Sequence, residues 1–211
     1  MTIPNLESHG FSEDYQAIYD AAYRYGREEM YPLCEKMDNE DWFPEEAYRA
    51  MADHGLLGTT VDPNYGGAGL DVLAQCFISE ATSYWNHSLS ACLLASENLC
   101  INNLVRNANE DQKREYLPKF CTGEAIGALG LTEPGAGSDA LGSMATTATR
   151  DGDDYVLNGR KLFITNGPVA DVLLIYAKTD ASAGQHGISA FIVEKSFPGF
   201  SVAQKLNKMG W

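Results

Sequence analysis

The sequence predicts an α+β protein with two consecutive domains, an all-α helical domain over residues 1–124 and a small antiparallel β-barrel or sandwich over residues 125–211. Three observations support this fold class. Apolar residues recur at helical spacing as far as about Cys121. Beyond Ala125 the period changes to two. Short turns rich in Asn, Asp and Gly separate the later runs and favour antiparallel neighbours over helical crossovers.

The helical domain begins after a polar start, with Ser12 as the candidate cap of a long helix that reaches about Met37. Gly26 and Pro32 are the positions where this helix is expected to bend. The apolar spacing and the flanking turn residues predict four more helices: Asp41–His54 closed by Gly55, Leu70–Thr82, a buried helix over His87–Asn107, and a charged surface helix from Glu110 that is ended by Pro118 and Gly123.

The β domain begins with an apolar run that stops at Thr132. Six further runs have strand character: Ala145–Thr149, Tyr155–Leu157, Leu162–Thr165, Val172–Ala177, Ile188–Val193 and Ser201–Leu206. Together they predict a sheet of about six to eight strands.

The composition excludes some classes of function. Fifteen basic and twenty-nine acidic residues give a net charge of −14, which repels nucleic acid and anionic membranes. No apolar run is long enough to span a membrane. We therefore predict a protein that binds neither nucleic acid nor membrane. Net charge carries little information about a small anionic ligand in a cleft.

The five cysteines are widely spaced in apolar surroundings and predict reduced thiols in a reducing compartment. The four histidines share no metal-ligand spacing, so no metal site is predicted. Because the N-terminal residues show neither a secretory core nor a transit pattern, we expect a cytoplasmic location.

One stretch, Ala128–Asp139, carries the strongest functional signal. Pro134 fixes the backbone angle φ, while Gly135 and Gly137 lack a Cβ and let a ligand approach the main chain. Thr132 and Ser138 offer hydroxyl groups beside the backbone N–H donors. This combination suits a cofactor with many acceptor atoms, although a Gly-x-Gly alone is more often a plain turn.

Two further stretches strengthen the ligand interpretation. In Asn158–Gly167, a predicted strand between two Asn-Gly turns places Phe163 and Thr165 on one face. Upstream, Pro63–Gly69 is another glycine-rich turn.

The three stretches resemble the acyl-CoA dehydrogenase family of flavoproteins, which carries matching segments in the same order and at similar spacing. The similarity covers nearly the whole chain. Within the family it is strongest to the branch that acts on isovaleryl-CoA, through three segments: Asn98–Asn107, Tyr176–Asp180 and Phe191–Lys195.

The resemblance implies that FAD is the cofactor and that it lies against the β domain. It assigns cofactor contacts to Leu129, Gly130, Leu131, Thr132, Glu133, Pro134, Gly135, Ala136, Gly137, Ser138, Phe163, Ile164 and Thr165. Substrate contacts are assigned to Ser138, Gln185 and His186. Many relatives have Trp where this chain has Phe163, so the stacking surface is smaller here.

The reaction implied by the resemblance is α,β-dehydrogenation of a short straight or branched acyl-CoA, as in fatty acid or leucine catabolism. An electron-transfer flavoprotein is the implied acceptor, and the family is tetrameric. Its members continue into a C-terminal helical bundle that holds the catalytic carboxylate. The sequence ends at Trp211, so we assign no catalytic residue and expect the 211-residue chain alone to be inactive.

Two alternatives remain open at the level of sequence. The chain could be a non-catalytic module that binds flavin, acyl-CoA or a partner. It could also be a subunit whose base is supplied by another chain. Glu133 lies within the motif, but we interpret it as a structural carboxylate.

Overall fold

A computed structural model describes residues 3–208. The chain divides into two compact units. One comprises the described residues through Ala125, together with Lys208, and the other comprises Ile126–Asn207. The predicted order, a helical region followed by a β region, is confirmed.

The helical unit contains seven α-helices within the described residues. They are α1 (Glu13–Tyr25), α2 (Cys34–Glu40), α3 (Glu45–Ala50), α4 (Val72–Ser83), α5 (His87–Leu94), α6 (Asn102–Asn107) and α7 (Glu110–Cys121). Asp71, Asn86 and Asn109 each accept a hydrogen bond from a backbone N–H in the first turn of the helix that follows. Ser12 occupies the N-cap position of α1, although its hydroxyl makes no capping bond to the described backbone.

Irregular helical turns connect several of these helices. A π-helical turn over Gly26–Met30 and a 3₁₀ turn over Tyr31–Leu33 join α1 to α2, so the predicted weak points at Gly26 and Pro32 are confirmed. A second π-helical segment, Ala95–Ile101, joins α5 to α6 within the run predicted as one buried helix. α7 continues past Pro118 to Cys121, and the chain then turns at Gly123, where φ is +73°.

The β unit contains one five-stranded sheet. Its strands are β1 (Gly127–Gly130), β2 (Thr147–Asp151), β3 (Asp154–Asn158), β4 (Val172–Lys178) and β5 (Ile188–Glu194), with the short helix α8 (Ala140–Ser143) between β1 and β2. Ala128, Ala170 and Leu173 form a buried cluster, against which Ile164, Ile175 and Phe200 pack.

The sequence predicted an antiparallel sheet, but the sheet is mixed. β1 pairs with β4 in parallel, with Gly127 opposite Val172, and β2 meets β4 in parallel at Thr147 and Lys178. β4–β5 and β2–β3 are antiparallel. The long connection between β1 and β4 contains the β2–β3 hairpin and lets β4 return in the direction of β1. Local turn signals predict hairpins correctly but do not reveal this return.

Two predicted strands are absent from the described structure. Leu162–Thr165 is irregular, because Phe163 and Asn166 have φ values of 58° and 65°, which no β-strand adopts. The predicted common strand face for Phe163 and Thr165 is therefore wrong. Ser201–Leu206 has no regular secondary structure and no strand partner among the described residues, since alternating residues do not by themselves supply a neighbouring strand.

The described residues contain no helix that is both long and apolar enough to cross a membrane. Nor do they bring together three His, Cys, Asp or Glu side chains that could hold a metal ion.

Candidate functional site

The loop after β1 is a tight, exposed turn. The backbone N–H groups of Glu133 and Ala136 each donate to the carbonyl of the other, at 3.0 and 3.1 Å, and enclose Pro134 and Gly135. Pro134, Gly135, Gly137 and Ser138 are exposed, whereas Glu133 is buried. The turn therefore exposes its main chain to solvent and buries the Glu133 carboxylate on its inner side. We call residues 131–138 the rim loop.

The rim loop presents hydrogen-bond donors that have no acceptor among the described residues. The hydroxyls of Thr132 and Ser138 have no partner among the described residues, and neither do the backbone N–H groups of Gly135, Gly137 and Ser138. A Cβ on Gly137 would meet no atom within 4 Å, so the fold itself does not require glycine there. Exposed donors beside an unhindered main chain can bind a group rich in acceptor atoms.

Phe163 lies in the second predicted segment and has an unusual backbone. Its φ is 58°, and 64% of its surface is exposed. A bulky residue in the left-handed region is strained, and such strain tends to occur at functional sites. The N–H of the preceding residue, Leu162, donates to the carbonyl of Thr132 at 2.9 Å, so this segment lies beside the rim loop.

The neighbours of Phe163 differ in what they contact. Ile164 packs against the buried cluster of the β unit, and its side chain faces the protein. The hydroxyl of Thr165 has no partner among the described residues. Asn166 anchors the segment, because its side-chain amide donates to the carbonyl of Gly127 at 3.1 Å. The structure therefore brings Phe163, Thr165 and the rim loop to one edge of the sheet.

The Glu133 carboxylate lies inside this arrangement and accepts several hydrogen bonds. The donors are the Lys161 ammonium at 2.8 Å, the backbone N–H groups of Ala145 at 2.6 Å and Thr146 at 3.0 Å, and the hydroxyl of Thr146. Burial alone would raise the pKa of Glu133. These donors, with Lys161 first, outweigh it and lower the pKa to about 2. Glu133 is therefore a stably charged structural carboxylate.

Gln185 and His186 lie in an exposed turn between β4 and β5. The turn, Ala181–Gly187, lies against α8, which begins two residues after Ser138. The three residues predicted to contact substrate thus belong to adjoining segments.

Glu97 is a second buried carboxylate and lies in the helical unit. It accepts bonds from the N–H groups of Gly58 at 2.7 Å and Thr59 at 3.0 Å, and from the Thr59 hydroxyl at 2.9 Å. Burial raises the pKa of Glu97 above its usual range, although these bonds act in the opposite direction.

Sequence reasoning missed Lys161 and Thr146, the partners of Glu133. They lie far from Glu133 along the chain, so no local spacing pattern connects them. One signal was available for Lys161. It is a basic residue in one predicted ligand motif, Glu133 is an acidic residue in the other, and both motifs were predicted to bind the same ligand. An open cleft of about 340 Å³ beside β2 and Lys178 includes none of the predicted site residues.

Both parts of the chain match domains of a known protein family. Residues 12–124 match the acyl-CoA dehydrogenase N-terminal domain, and residues 128–211 match the middle domain. The chain is 45% identical over 202 residues to the mitochondrial isovaleryl-CoA dehydrogenase of Solanum tuberosum, covering 95% of this chain and 49% of that protein. It therefore spans about half the length of such relatives.

Two solved structures are similar in fold and sequence. One is described as the electron-transferring flavoprotein of Acidaminococcus fermentans, with a TM-score of 0.91 and 40% identity over 95% of this chain and 52% of that one. The other is the FAD complex of PigA, with a TM-score of 0.89 and 34% identity over 94% of this chain and 52% of that one. Both domain matches, supported by these similarities, show that the chain belongs to the acyl-CoA dehydrogenase family.

Proposed function

We propose that this chain forms the flavin-binding part of an FAD-dependent acyl-CoA dehydrogenase, which converts a short straight or branched acyl-CoA to the 2-enoyl-CoA. The observation that carries the proposal is the exposed, left-handed Phe163 beside a loop whose donors have no partner within residues 3–208. Family membership and the similarity to the isovaleryl-CoA dehydrogenase of Solanum tuberosum support the substrate class.

The residues present fit a flavin. A flavin ring has acceptor atoms along its edge and an apolar face, and the rim loop and Phe163 supply the complementary groups. Thr132, Thr165 and the exposed N–H groups of the rim loop would bond the ring edge, while Phe163 would cover its face. When bound, FAD would accept a hydride from the β-carbon of the substrate.

The other assigned residues have distinct parts. Leu129, Gly130 and Leu131 would form the floor of the site where β1 ends, and Glu133 and Ala136 would hold the turn. Ser138, Gln185 and His186 would contact the CoA ester, because α8 and the 181–187 turn are adjacent.

No described residue is assigned as the base that removes the α-proton. Glu133 has a pKa of about 2 and its oxygens already accept several bonds, so it is a weak proton acceptor. Glu97 is likewise bonded to Gly58 and Thr59. These engaged carboxylates also favour a second candidate function, a module that binds flavin or acyl-CoA without turnover.

The partners and location follow the family in part. An electron-transfer flavoprotein as acceptor, and assembly into a homo-oligomer such as a tetramer, are proposals that rest on the resemblance; one similar structure is described as an electron-transferring flavoprotein. The Solanum relative is named as mitochondrial, and a cytoplasmic location for this chain stays a prediction.

Titration with FAD tests the proposal. The wild-type chain should quench FAD fluorescence saturably, and Gly137→Val should weaken binding at least about tenfold by placing a side chain where the cofactor approaches the main chain. Because a Cβ at Gly137 meets no protein atom within 4 Å, the fold should survive. Thr149→Val, at an exposed site on β2, is the matched control. Equal affinity for all three proteins, or no binding by the wild type, would contradict the proposal.

A further inference from the structure

A buried ion pair joins the two segments of the proposed cofactor site. The Lys161 ammonium lies 2.8 Å from the Glu133 carboxylate, and the two side chains are 9% and 4% exposed. The same ammonium donates to the carbonyl of Leu131 at 3.2 Å. Lys161 is two residues from Phe163, and Glu133 lies within the rim loop, so the pair links the Phe163 segment to the rim loop.

Stability alone gives little reason for an ion pair at this place. Removing two charges from water is costly, and a well-packed apolar pair of similar volume is often as stable or more so. A charged pair differs from an apolar contact in fixing distance and direction through its hydrogen bonds.

The geometry around the pair is correspondingly well determined. The backbone of Ala145 and the backbone and hydroxyl of Thr146 hold the Glu133 carboxylate from the side of β2. The bond from the N–H of Leu162 to the carbonyl of Thr132 is a second link between the same segments. A Cβ at Gly130 would collide with the Ile175 side chain and lie 3.3 Å from Cγ of Lys161, so the stem of the lysine is also confined.

We infer that Lys161 and Glu133 are positioning residues, whose ion pair sets the spacing between the rim loop and Phe163 and so the width of the gap that receives the flavin ring. This inference rests on the proposed function. In this role neither side chain needs to contact the cofactor, since both are largely buried and engaged with the protein. They act through their neighbours in the chain. Thr132 directly precedes Glu133, and Phe163 follows Lys161 by two residues.

The test compares four variants with the wild-type 211-residue chain. Lys161→Met breaks the pair, Lys161→Arg keeps its charge, and Lys161→Met combined with Glu133→Gln removes both charges. Lys195→Met is the matched control, because Lys195 forms an exposed ion pair with Asp171 at 2.5 Å in the same unit. FAD affinity, the visible circular dichroism of bound FAD and stability to urea are measured for each.

Lys161→Met should weaken FAD binding at least about tenfold and change the visible circular dichroism of the flavin that still binds, since that signal reports ring orientation. Lys161→Arg should recover part of the FAD affinity and part of the wild-type circular dichroism. The double variant should recover stability, because no buried charge is left unpaired, but not affinity. Lys195→Met should match the wild type. Unchanged hydrogen exchange of the β4 amides in Lys161→Met would show that the sheet stays folded.

Wild-type affinity and an unaltered flavin spectrum in Lys161→Met would overturn the inference. So would recovery of FAD affinity in parallel with stability in the double variant, which would make the pair merely structural. A wild-type chain that does not bind FAD would instead overturn the proposed function, and the positioning role with it. The wild-type titration therefore separates the two failures.

Discussion

At the scale of single residues, Glu133 shows how a carboxylate in a ligand motif can serve the protein itself. Its position in the motif, between Thr132 and Pro134, suggests that its carboxylate contacts the ligand. Its bonds to Lys161 and Thr146 direct it inward. The resemblance favoured a structural role for this carboxylate, but nothing in the sequence indicated the partners that hold it.

The lowered pKa of Glu133 predicts a dependence of stability on pH. Its pKa falls from 4.5 to about 2 on folding, which is worth about 3 kcal/mol. A lowered pKa contributes stability that is fully present above the unfolded value and is lost as the pH falls through the folded value. The wild-type advantage over Glu133→Gln should therefore shrink as the pH falls from about 5 to about 2. Urea unfolding of both proteins at a series of pH values measures this difference in stability. A difference that does not change with pH would refute the lowered pKa of Glu133.

At the scale of elements, the π-helical segment Ala95–Ile101 places Glu97 against the backbone of Gly58 and Thr59. A π-helical turn accommodates an extra residue and changes the direction of the side chains that follow. Helical periodicity predicted the run from His87 to Asn107 correctly, but it contains no signal for this turn. The contact that Glu97 makes could not be predicted for that reason.

Glu97 should show the opposite dependence on pH to Glu133. Burial raises its pKa above the usual 4.5, so its contribution is fully present below that value and is lost as the pH rises through the folded pKa. Glu97→Gln resembles the protonated acid, and its stability relative to the wild type should increase as the pH rises. Chemical denaturation at matched pH values tests this. A relative stability that falls with rising pH would contradict it.

The irregular segment around Phe163 marks the limit of strand prediction. Its apolar, β-branched composition is typical of a strand, and the sequence gives no sign that Phe163 adopts a left-handed backbone. Hydrogen bonds to distant residues, such as those from Leu162 to Thr132 and from Asn166 to Gly127, determine this conformation. Tertiary contacts override local propensity here.

At the scale of the whole molecule, helical and strand periods predicted the two-part architecture, because each period reports directly which face of an element is buried. The parallel pairing of β1 with β4 was not predictable in this way, since it depends on where a long connection returns. The cofactor role of the rim loop was predicted from its turn chemistry and from the family resemblance, and it stays a prediction.

The engaged carboxylates predict the catalytic behaviour of the chain. With FAD, isovaleryl-CoA and an artificial electron acceptor, the 211-residue chain should show no turnover above that of free FAD. Loss of a general base alone typically costs about 10²–10⁴-fold in rate. Acceptor reduction measured spectrophotometrically, with free FAD as the control, tests this. Turnover above that of free FAD would refute our assignment, and its loss in Glu97→Gln, a residue outside the Lys161–Glu133 pair, would identify Glu97 as the base.

The central claim is that the rim loop and the Phe163 segment form the flavin site, and an NMR titration with FAD tests it most directly. In a two-dimensional nitrogen–proton spectrum, the amides of Gly135, Gly137, Ser138 and Thr165 should shift saturably as FAD is added. Those of Thr149 and Lys178, beside the separate open cleft, should stay in place. Shifts confined to that cleft, or a rim loop whose amides do not respond to FAD, would contradict the account.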